Sequence, residues 1–154
     1  MKDKLKETTY EWDTRTVADG RYEVRVVASD ERANAAQTGR TASRVSDPIQ
    51  VDNTPPVIGS LKAGSGAGQV HIQFDAADRS STLAAFAYTV DSSDDWQTVL
   101  PVDKIADGPE ESVDFSISGL KPGPHQVSVR AIDARGNAAI ASLPTTIDGP
   151  ATKP

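Results

Sequence analysis

The chain has 154 residues, with 16 Lys plus Arg against 22 Asp plus Glu, a formal charge of −6 and a pI near 4.8. Cysteine is absent, which excludes disulfide frameworks, thiolate zinc sites and cysteine nucleophiles. The acidic balance, with no Lys/Arg cluster, argues against nucleic acid as a partner, and the 12-residue uncharged run 136–147 falls well short of the roughly 20 apolar residues of a membrane span.

Residues 1–7 carry Lys2, Asp3, Lys4, Lys6 and Glu7 and have no apolar stretch, so they do not read as a signal peptide. Helical periodicity is weak from there on, and alternation with period two takes its place. Tyr10 and Trp12 share a phase. Tyr22, Val24, Val26 and Ala28 alternate with Glu23, Arg25, Val27 and Ser29. After a turn over residues 30–34 and an insert over 37–43, a last strand is expected over 47–51. Asp52, Asn53, Thr54, Pro55 and Pro56 then form a stiff joint, because proline fixes φ and restricts the residue before it.

Beyond the joint, Gly64, Ser65, Gly66, Ala67 and Gly68 read as a connection between strands. No Lys follows them, so they do not read as a phosphate loop. Val70, Ile72 and Phe74 alternate with His71, Gln73 and Asp75. Phe86, Tyr88 and Val90 begin the next apolar phase, and Trp96 opens an edge strand after the turn 92–95. The carboxylates Asp103, Asp107, Glu110, Glu111 and Asp114 surround the loop before Val113, Phe115 and Ile117, and read as solubility and edge protection. Val127, Val129 and Ala131 follow a Pro122-Gly123 corner, and Arg135-Gly136-Asn137 marks a turn. Short alternating strands separated by turn residues predict an all-β antiparallel sandwich or barrel.

Part of the chain occurs twice. A shift of 103 positions lays Trp12 on Phe115, Val17 on Leu120, Gly20 on Gly123, Tyr22 on His125, Ala28 on Ala131, Asp30 on Asp133 and Asn34 on Asn137. Residues 56–148 suffice for seven short strands. Residues 1–55 supply only the last three strands of such a unit, and residues 149–154 form a polar tail. The charge is correspondingly uneven, at −1 over residues 1–55 and −5 over the remainder.

Leu120, Pro122, Gly123 and His125, followed by Val127, Val129, Ala131 and Asp133, resemble the fibronectin type III pattern of a Leu, a Pro-Gly corner and an aromatic opening strand F. Phe74 stands where that family has its strand-B Trp, His125 replaces the corner Tyr that Tyr22 keeps, and residues 86–90 resemble strand C. The Asp-x-x-Gly-Asn turn and the Val-Asp-Asn-Thr-Pro-Pro joint look more like bacterial Ig-like repeats. The resemblance implies a seven-stranded, two-sheet antiparallel sandwich over 56–148, preceded by a three-stranded partial copy.

In such a fold Asp52 and Asn53 of the joint, Asp75 and Asp78 near the BC loop, and Asp133 and Asn137 of the FG loop are expected at one pole. Hard cations such as calcium take six to eight oxygens from groups of this kind, and the set is similar to the interdomain calcium site of cadherins. Turn chemistry accounts for the same residues without a cation. Of the eight aromatics, Trp96 is the one candidate platform for a glycan; its alternative role is to cover the sheet edge. His71 is out of phase with the core and should face solvent, His125 should be a corner hydrogen-bond partner, and no catalytic motif involves either.

Three strands alone would leave Trp12, Tyr22, Val24 and Val26 uncovered. The expectation is therefore a segment of a longer chain with strands upstream of Met1, or a dimer through the incomplete copy. The function expected is that of a non-catalytic spacer or interaction module in a larger exported bacterial protein, at the cell surface, outside the cell or in the periplasm. Its partners would be neighbouring domains of the same polypeptide. The alternative is a carbohydrate- or protein-binding adhesion module, with calcium at the joint and no other cofactor.

Overall fold

The most regular alternation, along residues 69–77, becomes strand β6 (Gln69–Ala77), in which Val70, Ile72, Phe74 and Ala76 are buried while Gln69, His71, Gln73 and Asp75 are exposed. The computed structural model describes residues 5, 7–34, 38–66 and 68–148. Most of the expected charged N-terminus, the start of the insert at 37, residue 67 and the polar tail 149–154 lie outside them. The chain divides into two units, Met1–Asn53 and Thr54–Pro154.

In the second unit β6 lies between β5 (Val57–Gly66) and β9 (Glu110–Ser118) in a three-stranded antiparallel sheet. The other sheet has four strands in the order β11 (Ala138–Ile147), β10 (Gly123–Asp133), β7 (Leu83–Val90) and β8 (Gln97–Val99), again all antiparallel. This is a seven-stranded sandwich of immunoglobulin-like layout. Its fourth strand, β8, joins the sheet of β7 rather than that of β9.

The core forms where the inward rows of the two sheets meet. Val70, Ile72 and Phe74 lie opposite Ile117, Phe115 and Val113 across the β6–β9 ladder. From the other sheet Leu83, Phe86, Val127, Val129 and Ala131 join the same buried cluster. Phe74 and Phe86 meet edge-on with ring centroids 6.0 Å apart, a favoured aromatic geometry. Each such side chain contributes roughly 1.5–3 kcal/mol by leaving water.

All four sheet edges of this unit are blunted against further pairing. Strand β5 has a register shift between Gly59 and Lys62, with Ser60 at φ 52°. Strand β11 carries Pro144, β8 is three residues long, and Val102 of the preceding loop donates its N–H to Ser112 O beside β9.

The first unit is a hairpin. Strand β1 (Gly20–Tyr22) pairs with β4 (Ile49–Val51), and β2 (Arg25–Ser29) pairs with β3 (Thr41–Val45). Between the two ladders Ser46 donates its N–H to Val24 O, and Val24 donates its N–H to Ser46 Oγ. The expected strand through Trp12 is not formed. A 3-10 turn, Thr14–Thr16, stands there, because Asp13 accepts the Arg15 N–H and guanidinium while Thr16 Oγ donates back to Asp13 O. Local side-chain-to-backbone bonds displace strand pairing where no partner strand is present. Trp12 still packs edge-on to Tyr22, at 5.5 Å between centroids. The last strand begins at Ile49 rather than Asp47, and β3 starts inside the expected insert.

Two contacts recur at positions related by the shift of 103 residues. Gly20 lies opposite Val51, and Gly123 opposite Ile147. Tyr22 Oη donates to Ala18 O, and His125 Nε2 reaches Lys121 O, each four residues back and each at 2.7 Å.

Replacing Phe74 with Ala should lower the stability of the second unit by about 3–5 kcal/mol, the usual cost of truncating a buried Phe. Urea denaturation followed by a probe in that unit measures it. Phe115→Ala, on a partly buried neighbour, should cost less.

Candidate functional site

Of the expected site residues in the second unit, Asp78, Asp133 and Asn137 share one pole. Two loops meet at the pole of the second unit where β6 and β10 end. In the loop after β6, Asp78 is buried and its Oδ1 accepts the N–H groups of Ser80 and Ser81 at 2.8 Å each. In the turn after β10, Asp133 is buried; its Oδ1 accepts the N–H groups of Arg135 and Asn137, and its Oδ2 accepts from Asn137 Nδ2, all at 2.8 Å. These are side-chain-to-backbone turns of the kind Asp favours. Gly136 completes the second with φ 88°, a conformation glycine adopts without strain.

Backbone bonds tie the loops together. Ala134 N donates to Thr82 O, Leu83 N to Gly108 O and Asp78 N to Pro109 O. One carboxylate oxygen of Asp78 and one of Asp133 lie within 4.8 Å of each other. The pole therefore holds two buried carboxylates side by side, with the Asn137 amide beside them.

Asp75 points outward from β6 and accepts from the Ser112 hydroxyl at 2.8 Å. Asn53 is engaged inside the first unit, where its N–H donates to Asp19 Oδ1 and its amide donates to Thr14 O and Val17 O. Asp52 follows β4 and is buried.

Trp96 is half-buried. By the β7–β8 register it falls beside Thr89, which is buried on the outer face of its sheet. Its Nε1 donates to Ser93 O at 2.9 Å, and the Arg130 guanidinium lies 4.4 Å above its ring. One ring face is thus occupied by a cation–π contact with a residue of β10.

The opposite pole carries a group that was only half legible in sequence. His125 is a corner hydrogen-bond partner as its phase suggests, but its second partner is Asp91, 34 residues earlier. His125 Nδ1 lies 2.6 Å from Asp91 Oδ2, while Asp91 Oδ1 accepts the Gln126 N–H at 2.8 Å. Both ring nitrogens face acceptors, a carbonyl and a carboxylate, an arrangement that favours the doubly protonated imidazolium. The Lys121 carbonyl first, and then the Asp91 carboxylate, hold the His125 pKa above its ordinary 6.5. The Gln126 N–H and then His125 hold Asp91 below its ordinary 3.8. His71 faces solvent as expected, between Ser116 and Asp114 at 3.2 Å each.

No family model matches the sequence, and no curated protein matches it. Two solved structures are similar in part. The crystal structure of the PKD1 domain of Vibrio anguillarum Epp covers 64% of this chain with all of its own length, at 16% identity and a TM-score of 0.48. The PKD domain of an M14-like peptidase from Thermoplasmatales archaeon SCGC AB-540-F20 likewise covers 64% with its whole length, at 21% identity and a TM-score of 0.45. Among the described residues no helix is long and apolar enough to cross a membrane.

The corner pair makes stability depend on pH with a definite sign. The raised His125 pKa stabilises the fold fully below about pH 6.5, and this is lost as pH rises through the folded value. The lowered Asp91 pKa stabilises it above about pH 3.8, and this is lost as pH falls through the folded value. The difference in melting temperature between the native protein and His125→Gln should therefore be largest between those limits and shrink from pH 6 to 9. His125→Tyr, which restores the bond to Lys121 O, should remove the loss of stability on the alkaline side while keeping most of the stability.

Proposed function

We propose that this chain is a non-catalytic immunoglobulin-like module of a larger exported bacterial protein, acting there as a spacer between neighbouring domains. The observation that carries this reading is the polarity of the second unit. The chain enters it at Val57, which lies opposite Ala77 at the pole of Asp78 and Asp133. It leaves at Ile147, opposite Gly123 at the other pole. A strand of ten residues such as β11 spans about 33 Å at the usual rise. Entry and exit are thus one strand length apart, and tension between them runs along the ladders. Hydrogen bonds across a strand pair are then loaded together in shear rather than opened one by one.

The polar groups support the same reading. Asp78, Asp133 and Asn137 shape loops, His125 and Asp91 hold the corner, and Trp96 stacks with Arg130. Each is accounted for by a bond that stabilises the sandwich.

Pulling on the second unit through Val57→Cys and Asp148→Cys should require clearly higher force than pulling through Lys121→Cys and Asp148→Cys, which opens β10 from β11 at its end. Equal forces in single-molecule extension would remove the mechanical argument.

A second reading, calcium at the pole, is favoured by the two buried carboxylate oxygens within 4.8 Å of each other. Asp78, Asp133 and the Asn137 carbonyl oxygen would be its ligands in the second unit, completed to six or more by other oxygens. On this reading calcium at ~5 mM, suited to the weak sites of extracellular modules, raises the melting temperature of chelator-treated protein, and Asp78→Asn abolishes the rise. An unchanged melting temperature leaves the two carboxylates as turn formers alone.

A further inference from the structure

The outer face of the three-stranded sheet in the second unit carries a hollow that a spacer role does not use. Residues directly opposite one another in a ladder share a face, so two rows cross it. Val57, Ala77 and Glu110 form one row, and Gly59, Asp75 and Ser112 the other. Gly59 adds no side chain to its row, and beyond its chain neighbours no heavy atom lies within 4 Å of where a Cβ would stand. On the far side of β9 the bond from Val102 N–H to Ser112 O holds the preceding loop in place as a wall. The hollow between them has a volume of about 620 Å³, within the roughly 300–1,000 Å³ of small-ligand sites.

Its apolar lining is uncovered and its charge is of one sign. Val57 and Val102 both line the hollow and are 68% and 59% exposed. Asp75, Asp103, Glu110 and Glu111 line it too, whereas no Lys or Arg does. Lys104 follows Asp103 in the chain, and Lys62 lines an adjoining smaller hollow. Among the described residues none of the four carboxylates forms an ion pair. Asp75 Oδ1 accepts from the Ser112 hydroxyl and Asp103 Oδ1 accepts the Ile105 N–H, so the fold uses one oxygen of each. Carboxylates gathered over low-dielectric walls focus a negative potential. Solubility accounts for the carboxylates but not for the exposed valines among them.

We propose that this hollow binds a linear aliphatic amine, a free small cation whose ammonium groups are separated by runs of methylene. The ammonium groups meet Asp75, Asp103 and Glu110, which come from β6, the loop and β9. The methylenes lie on Val57, Ala77 and Val102. An ammonium is a compact charge with three donors, so several can be served by carboxylates standing on different walls. A bare metal ion gains nothing from the valines, and an anion is repelled.

The test titrates the full isotope-labelled chain with spermidine, and in parallel with magnesium chloride and with a tripeptide amide of arginine between two leucines. The amides of Gly59, Asp75, Ala77 and Val102 should shift saturably with spermidine at millimolar concentration or below, and magnesium should not reproduce the shifts. Gly59→Leu fills the hollow where space is open and leaves every charge in place, and should abolish the saturable response. Glu110→Gln should weaken it about 3-fold, as for a partly exposed charge pair, and keeps the test decisive if the leucine variant folds poorly. Unmoved amides at millimolar spermidine would overturn the proposal. So would equal shifts with magnesium or an undiminished response in Gly59→Leu, either of which makes the attraction one of net charge. Saturation by the tripeptide but not by spermidine would also overturn it, by making a protein side chain the occupant.

Discussion

A strand that is apolar on one side has to be covered on that side, and the structure of the second unit follows from how it meets this demand. In the second unit the inward rows of β6 and β10 face one another through Phe74, Ile72, Val127 and Val129, all buried. Because the two sheets close on these rows, outward positions are free for polar residues, the loops are confined to two poles, and the chain enters at one pole and leaves at the other. The first unit carries Val24 and Val26 at the equivalent positions of one hairpin, where both are exposed.

The corner shows how one backbone requirement can be met by different chemistry. The carbonyls of Ala18 and Lys121 each need a donor four residues later, and a tyrosine hydroxyl meets the first while an imidazole meets the second. The exchange is not neutral. A phenol ends at its one bond, whereas the imidazole has a second nitrogen, which lies beside Asp91. Asp91 sits at the end of β7 with φ 51°, and its carboxylate also accepts the Gln126 N–H. The corner thus links β7 to β10 through a charged pair where its counterpart in the first unit makes a single neutral bond.

At the other pole the carboxylates act over short sequence distances. Asp78 serves residues two and three positions on, and Asp133 serves residues two and four positions on. These bonds shape each loop before any tertiary contact is made, and three backbone bonds then join the loops and the segment before β9. The proximity of the two carboxylates is thus a product of loop closure, whether or not a cation occupies the pole.

Period-two alternation, turn residues and the 103-residue repeat were enough to determine the all-β sandwich, its inward residues and the duplicated corner, because these depend on spacing along one strand or one turn. Asp78, Asp133 and Asn137 were legible for the same reason. Partners across strands were not legible. Asp91 beside His125, Arg130 over Trp96 and Ser112 against Asp75 each join residues at least 34 apart, and only strand register decides such pairs. The Trp12 segment is the reverse case. Its alternation reads as a strand, but the local bonds of Asp13 and Thr16 shape it as a 3-10 turn.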